Sequence, residues 1–194
     1  MDQTTILDTP QVYPGLLAKS EEIGFTMPSD IYIGTLLKTL IASKPNGIFL
    51  ELGTGIGLSM AWMLEGMDKN SKLISIDNDG ELIQIANEFF GEEEQLQLIH
   101  ADAVVWLSEY NEKEKFDLIF ADAWPGKYSF LKETLELIKI GGFYVIDDMQ
   151  KQANWPEGHK ENAYSLIETL EARKDFSITK MDWSTGVIVA VKIK

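Results

Sequence analysis

Residues 49 to 59, FLELGTGIGLS, set an acid and three alternate glycines between an apolar run and a helix-forming one. Glu51 leads, and Gly53, Gly55 and Gly57 follow at every second position. A turn this bare at the end of a buried strand lets a small ligand lie directly against the backbone. The dinucleotide fingerprint has glycines at relative positions one, three and six. Here they stand at one, three and five, and Leu58 holds the sixth place. The third glycine of a dehydrogenase allows close helix–sheet packing under a pyrophosphate, so Leu58 argues against that ligand. Asp77 ends the next apolar run, 24 residues beyond Gly53, where a carboxylate can accept both hydroxyls of a ribose. NAD enzymes place an acid similarly, so Asp77 does not discriminate, and it could simply cap a helix starting near Asp79. His159, in the loop QKQANWPEGHK, is a candidate acid–base group, since an unperturbed histidine titrates near pH ~6.5.

These residues need a scaffold, and the chain alternates to build one. PSDIYIGTLLKTLIAS predicts a helix opening at Pro28, capped by Ser29 or Asp30 and ended by Pro45, Asn46 and Gly47. Pro10, Pro14, Gly15 and Gly24 break up residues 1 to 27, with helix character within ILDTPQVYPGLLAKSEEIG. Then strands GIFLEL, KLISID, LQLIHA, KFDLIFAD and GGFYVID alternate with helices GLSMAWMLEGM, DGELIQIANEFF, DAVVWLSEY, YSFLKETLELIKI and NAYSLIETLEARKD. Near-continuous apolar strands separated by helices indicate a parallel sheet covered on both faces. At the end FSITKMDW and TGVIVAVKI have only a turn at 184–186 between them, so that pair must be antiparallel.

Composition narrows the rest. At 194 residues, 45% apolar and 25% charged, the chain suits one α/β domain. A helical cap over 1–45 precedes a ligand-binding sheet over 46–194. The absence of cysteine removes disulfides, thiolate metal sites and iron–sulfur chemistry. A formal charge of −14 with scattered cations argues against a nucleic-acid partner. No run approaches the ~18 apolar residues of a membrane span, so no membrane partner is expected. MDQTTILDTP lacks a basic start and an apolar core, and a cytoplasmic location is the expectation.

The spacing E-x-G-x-G-x-G resembles motif I of S-adenosylmethionine (AdoMet) dependent methyltransferases of class I. That resemblance implies a doubly wound, mostly parallel seven-stranded α/β sheet, ordered 3-2-1-4-5-7-6, with the antiparallel hairpin last. It further implies that Glu51, Gly53, Gly55, Gly57 and Asp77 form the AdoMet site. Asp102, in IHADA, matches the position beside the adenine amino group, and Ser59 a serine that holds the AdoMet carboxylate. KFDLIFADAWPGKY and GGFYVIDDMQ resemble the cation-dependent O-methyltransferases of the catechol and caffeoyl-CoA type. The likeness runs from about Met27 to Lys194. In that family an aspartate after strand four and an Asp-Asn pair after strand five bind Mg²⁺; the matching positions are Asp122, Asp147 and Asp148, with Asp in place of Asn. Oxygen ligands suit Mg²⁺ or Mn²⁺. Asp122 then serves the AdoMet side and catalysis together, and Trp124 matches a tryptophan packed near the adenine.

The family's lysine, three residues after the first metal aspartate, is replaced by Pro125, which leaves Lys127 and His159 as candidate bases. His100 reads as structural. Trp124, Tyr128 and Trp155 are candidates to line an acceptor pocket, and the connection from Met149 to Lys160 to close it. ADAWPG differs from the N-P-P-Y-type motif of enzymes that methylate DNA or protein glutamine. The expected activity is transfer of a methyl group from AdoMet to a hydroxyl of a small aromatic acceptor, with Mg²⁺ assisting. A metal-independent methyltransferase and a non-catalytic AdoMet-binding module stay open, as does a homodimer, since relatives of the caffeoyl-CoA type dimerise.

Overall fold

A computed structural model describes residues 2–6, 8–111, 114–152 and 155–194. Five parallel strands run through its centre: β1 (Ile48–Leu52), β2 (Lys72–Asp77), β3 (Leu96–His100), β4 (Phe116–Ala121) and β5 (Ile138–Ile146). The hairpin of β6 (Phe176–Met181) and β7 (Val187–Lys192) completes the sheet, with β7 antiparallel to β5. The order is β3-β2-β1-β4-β5-β7-β6, as the resemblance implied.

Alternation along the strands sorts the core into two layers. Phe49, Leu73, Leu118, Phe120 and Val145 face one side. There they meet α1 (Tyr13–Ile23), α2 (Ile31–Ala42), α3 (Leu58–Gly66) and α4 (Gly80–Phe90). Leu50, Leu52, Ile76, Ile119 and Ile146 face the other. Their partners are α5 (Ala103–Glu109), α6 (Leu131–Glu136) and α7 (His159–Glu171). Strands buried on both faces explain the unbroken apolar runs. The chain leaves β1 towards β2 on one side and β4 on the other, so a crevice opens at the carboxyl ends of β1 and β4.

Some boundaries differ from the expectation. The helix expected across YSFLKETLELIKI stops at Glu136, and β5 begins at Ile138. Ile138 pairs with Phe116, Phe116 N–H donates to Leu137 O at 2.8 Å, and the register shifts before Leu118. Strand pairing there overrides the helical pattern. Pro14 does not break α1: it sits in the first turn, where the missing N–H costs nothing, and Gly24 closes the helix in the left-handed region. Asp30 rather than Ser29 caps α2, accepting from Tyr32 N–H at 2.7 Å. Helix α7 starts at His159, three residues before the expected NAYSL, following Gly158 at φ 84°. Among the described residues no helix is long and apolar enough to cross a membrane.

Candidate active site

The glycine turn leaves β1 at the crevice. Gly53 has φ +100°, and a Cβ there would stand 3.0 Å from Asp122 O, so the ends of β1 and β4 approach as closely as they do only with glycine present. Gly55 N–H donates to Asp77 Oδ2 at 2.8 Å, while Asp77 Oδ1 accepts from Asp79 N–H at 2.9 Å. Asp77 therefore holds the turn in shape and still faces the cleft. The helix cap is Asp79, which accepts from Glu81 and Leu82 N–H.

Four residues expected at the cofactor do not line the cleft. Gly57 answers to packing: a Cβ would meet the Phe90 ring at 2.7 Å. Glu51 is fully buried beneath the turn, where Ser59 Oγ and Ser75 Oγ each donate to it at 2.5 Å. Burial pushes its carboxyl up to about 7, the Asp77 charge adds to this, and the two hydroxyls oppose it. Ser59 is turned to Glu51 and not to the cleft wall, because a buried carboxyl needs donors and Ser59 is within reach. Asp102 accepts from Val104 N–H at 2.7 Å as the N-cap of α5, and it too lies off the cleft wall. An acid directly between strand and helix satisfies helix N–H groups first.

The cleft has a volume of about 660 Å³. Its walls are residues 25–30, the glycine turn, 77–79, and side chains from the ends of β4, β5 and the hairpin. At its floor one oxygen from each of Asp122, Asp147 and Asp148 lies within 4.8 Å of the others. Asp147 is only 3% exposed, and its Oδ1 is buried without a hydrogen-bond partner among the described residues. Burial raises the Asp122 carboxyl despite the opposing Lys127 cation. Burial and the Asp122 charge push Asp147 well above the usual carboxylate range. Hard oxygens, crowded like charges and an unsatisfied buried acceptor together suit a divalent cation.

Residues 20–180 match the family model described as O-methyltransferase. This chain belongs to the O-methyltransferase family. A Mycobacterium avium (strain 104) protein, provisionally named an O-methyltransferase, is 31% identical over 119 residues, 59% of this chain and 53% of that protein. The match thus spans about half the length of such curated relatives. Among solved structures, the O-methyltransferase TomG from Streptomyces achromogenes, in complex with SAM, superposes at a TM-score of 0.86. Its identity is 18%, over 98% of this chain and 93% of that one. The O-methyltransferase from Bacillus cereus, in complex with SAH, gives 0.85 and 17%, over 97% and 94%. These two likenesses establish the fold.

In this O-methyltransferase family member the β6–β7 hairpin supports the aspartates. Asp148 adopts φ +52°, a left-handed conformation uncommon for a residue with a side chain. Its N–H donates to Thr185 Oγ1 at 3.3 Å. The neighbouring Met149 and Gln150 N–H groups donate to Gly186 O and Thr185 O, both at 2.9 Å. The tip of the β6–β7 hairpin is thereby joined to the aspartate loop. The resemblance gave no hint of Thr185; the only sequence signal was a hairpin turn too short to lie far from β5.

The lysine also arrives by tertiary means. Gly126 N–H donates to Ser129 O at 2.7 Å, Tyr144 Oη donates to Gly126 O at 2.6 Å, and Pro125 bridges to Ser129. This tight turn returns Lys127 to the cleft wall, 5% exposed, although the family position is held by Pro125. Ser29 reaches Asp122 Oδ2 with its Oγ at 3.4 Å, a contact from the N-terminal cap that sequence reading missed.

The outer wall is aromatic. Trp124 and Tyr128 ring centroids are 4.7 Å apart, Tyr128 and His159 5.2 Å, and Trp155 and His159 4.5 Å. Tyr128 Oη lies 3.3 Å from His159 Nε2. Burial raises the Tyr128 hydroxyl pKa, partly offset by Lys127, so it stays protonated. Burial and the Lys127 charge lower that of His159, which favours the neutral ring. The connection from Met149 to Lys160 places Gln152, Trp155, Pro156 and His159 on this wall; its residues 153 and 154 lie outside the described ones. His100 stands apart under α4, its Nε2 3.2 Å from Asn78 O.

Proposed function

We propose that this protein is an AdoMet-dependent O-methyltransferase acting on a hydroxyl of a small aromatic acceptor, with Mg²⁺ or Mn²⁺ at Asp122, Asp147 and Asp148. The observation that carries the reading is the unpartnered, buried Asp147 Oδ1 in a three-carboxylate cluster beside the glycine turn. AdoMet would lie along Gly53, Gly55 and Asp77 and supply an electrophilic methyl group on its sulfonium. A bound cation would supply a lowered pKa and a fixed orientation for the acceptor hydroxyl.

The chain's own residues do the remainder. Asp77 offers the carboxylate for the ribose hydroxyls. Trp124, half exposed at 51%, offers a flat face to a purine. Tyr128, His159 and Trp155 confine an aromatic ring against the floor, and confinement in line with the methyl group contributes much of the rate. Lys127 Nζ, on the cleft wall, is the group placed to take the acceptor hydroxyl proton. Its position on the cleft wall supports catalysis over a purely cofactor-sensing role, which the proline at 125 had kept open.

The test is transfer of labelled methyl from AdoMet to a phenol and catechol panel, with Mg²⁺ or with EDTA. A calorimetric Mg²⁺ titration of protein saturated with S-adenosylhomocysteine runs alongside it, for the wild type and Asp148→Ala. Metal-dependent transfer, and metal binding lost in the variant, are expected. Transfer undiminished in EDTA would move the reading to a metal-independent enzyme.

A further inference from the structure

The charge of the acceptor can be read from the cleft wall, given the reading above. Six aspartates line it: Asp30, Asp77, Asp79, Asp122, Asp147 and Asp148. Among the described residues Lys127 is the sole lysine or arginine on that wall. It faces Asp122 and Asp147, whose carboxyls its charge pulls down. A divalent cation with Lys127 would offset the three inner aspartates and leave Asp30, Asp77 and Asp79 with backbone N–H groups and no cation against their charge.

The acceptor end offers an anion nothing better. Its rings are uncharged, with His159 held towards the neutral form. The wall at 25–30 carries one charged side chain, Asp30. Residues 153 and 154 are Ala and Asn, so they add no cation. Lys160 lies on α7 with its Nζ 5.3 Å over the Tyr164 ring, and Tyr164 is not part of the cleft wall. Lys151 and Lys160 are interleaved with Glu157 and Glu161 in sequence. A phosphate or carboxylate arm needs clustered cations, and none is gathered here. Aromatic faces with surrounding carboxylates instead favour a neutral or cationic group.

We infer that the small aromatic acceptor of that reading carries, besides its reacting hydroxyl, a substituent that is uncharged or cationic. Aromatic carboxylates and coenzyme A thioesters are then excluded, the former by repulsion and the latter by the lack of any phosphate-binding cations.

Catechol, dopamine and 3,4-dihydroxybenzoate present the same vicinal diol with substituents that are absent, cationic and anionic. Their binding to protein loaded with S-adenosylhomocysteine and Mg²⁺ is followed by quenching of tryptophan fluorescence. Dopamine and catechol are expected to bind at least about tenfold more tightly than 3,4-dihydroxybenzoate at low salt, with the gap narrowing as salt screens the field. Caffeoyl-CoA should show no saturable binding. Gln152→Lys, which adds a cation at the wall, should shrink the gap. Dihydroxybenzoate binding as tightly as catechol would overturn the inference, as would saturable caffeoyl-CoA binding, or no binding by any probe. If the expected order holds but no methyl group is transferred, the charge selectivity stands and the proposed catalysis falls.

Discussion

Replacing Asp147 by Asn should stabilise the metal-free protein and destabilise the metal-loaded one. Ligand oxygens of the three aspartates lie within 4.8 Å of one another. At an effective dielectric of about 20, each ionised pair at that separation repels by roughly 3 kcal/mol. The cost realised is smaller, because the cluster can escape by holding a proton. Burial and the Asp122 charge, the two leading causes, both raise the Asp147 carboxyl, and Lys127 opposes them more weakly. The sign follows. The folded pKa lies above the unfolded value of about 3.9, so the folded state binds this proton more tightly. Below the unfolded pKa both states are protonated and the substitution should be near neutral. As the pH rises from there through the folded pKa, the wild type loses stability that the variant keeps. In EDTA at pH 8, Asp147→Asn should be more stable by about 1–3 kcal/mol. The amide keeps the carboxyl's shape, so no cavity complicates the comparison. Mg²⁺ reverses the order: at about 1,000 times its dissociation constant it adds about 4.1 kcal/mol to a protein that binds it, and the variant should not respond. Urea unfolding at pH 4 and pH 8, each with EDTA and with Mg²⁺, reads all four values. A variant less stable than wild type in EDTA at pH 8, or one that responds to Mg²⁺ equally, refutes the reasoning.

Two further substitutions probe the supports. Lys127→Met should lower kcat by about 10²–10⁴-fold and leave the dissociation constant for S-adenosylhomocysteine nearly unchanged; a fall of less than fivefold would remove Lys127 from the chemistry. Gly186→Ala would place a Cβ 2.5 Å from Gln150 N at φ +87°, so the left-handed penalty and the loss of the two hairpin-to-loop bonds together cost about 2–4 kcal/mol. Mg²⁺ affinity, measured by calorimetry, should fall with it, since those bonds anchor Met149 and Gln150 directly after Asp148; an unchanged affinity would free the aspartate loop from the hairpin.

The fold and the location of its crevice were legible in the order of residues. Apolar runs alternating with helical patterns dictate a covered parallel sheet, the tight 184–186 turn dictates a reversed final pair, and glycines after β1 mark the place where a ligand meets bare backbone. Those signals are local, carried by neighbours along the chain, and local physics reads them. The exact ends of β5 and α7 were not legible, because pairing of Ile138 with Phe116 and the Gly158 turn outweigh helical periodicity.

The site divides in the same way. Sequence alone brought Asp122, Asp147 and Asp148 to strand ends, since strand ends are positions along the chain. Only the tertiary structure set which side chains face the cleft. It turned Ser59 inward to the buried Glu51, spent Asp102 on a helix cap, and returned Lys127 through the Gly126 turn. It also supplied Thr185 and Ser29, 37 and 93 residues distant from the aspartates they touch. Such contacts depend on the direction of a side chain and the closure of long loops, quantities that one residue's neighbours in sequence do not determine.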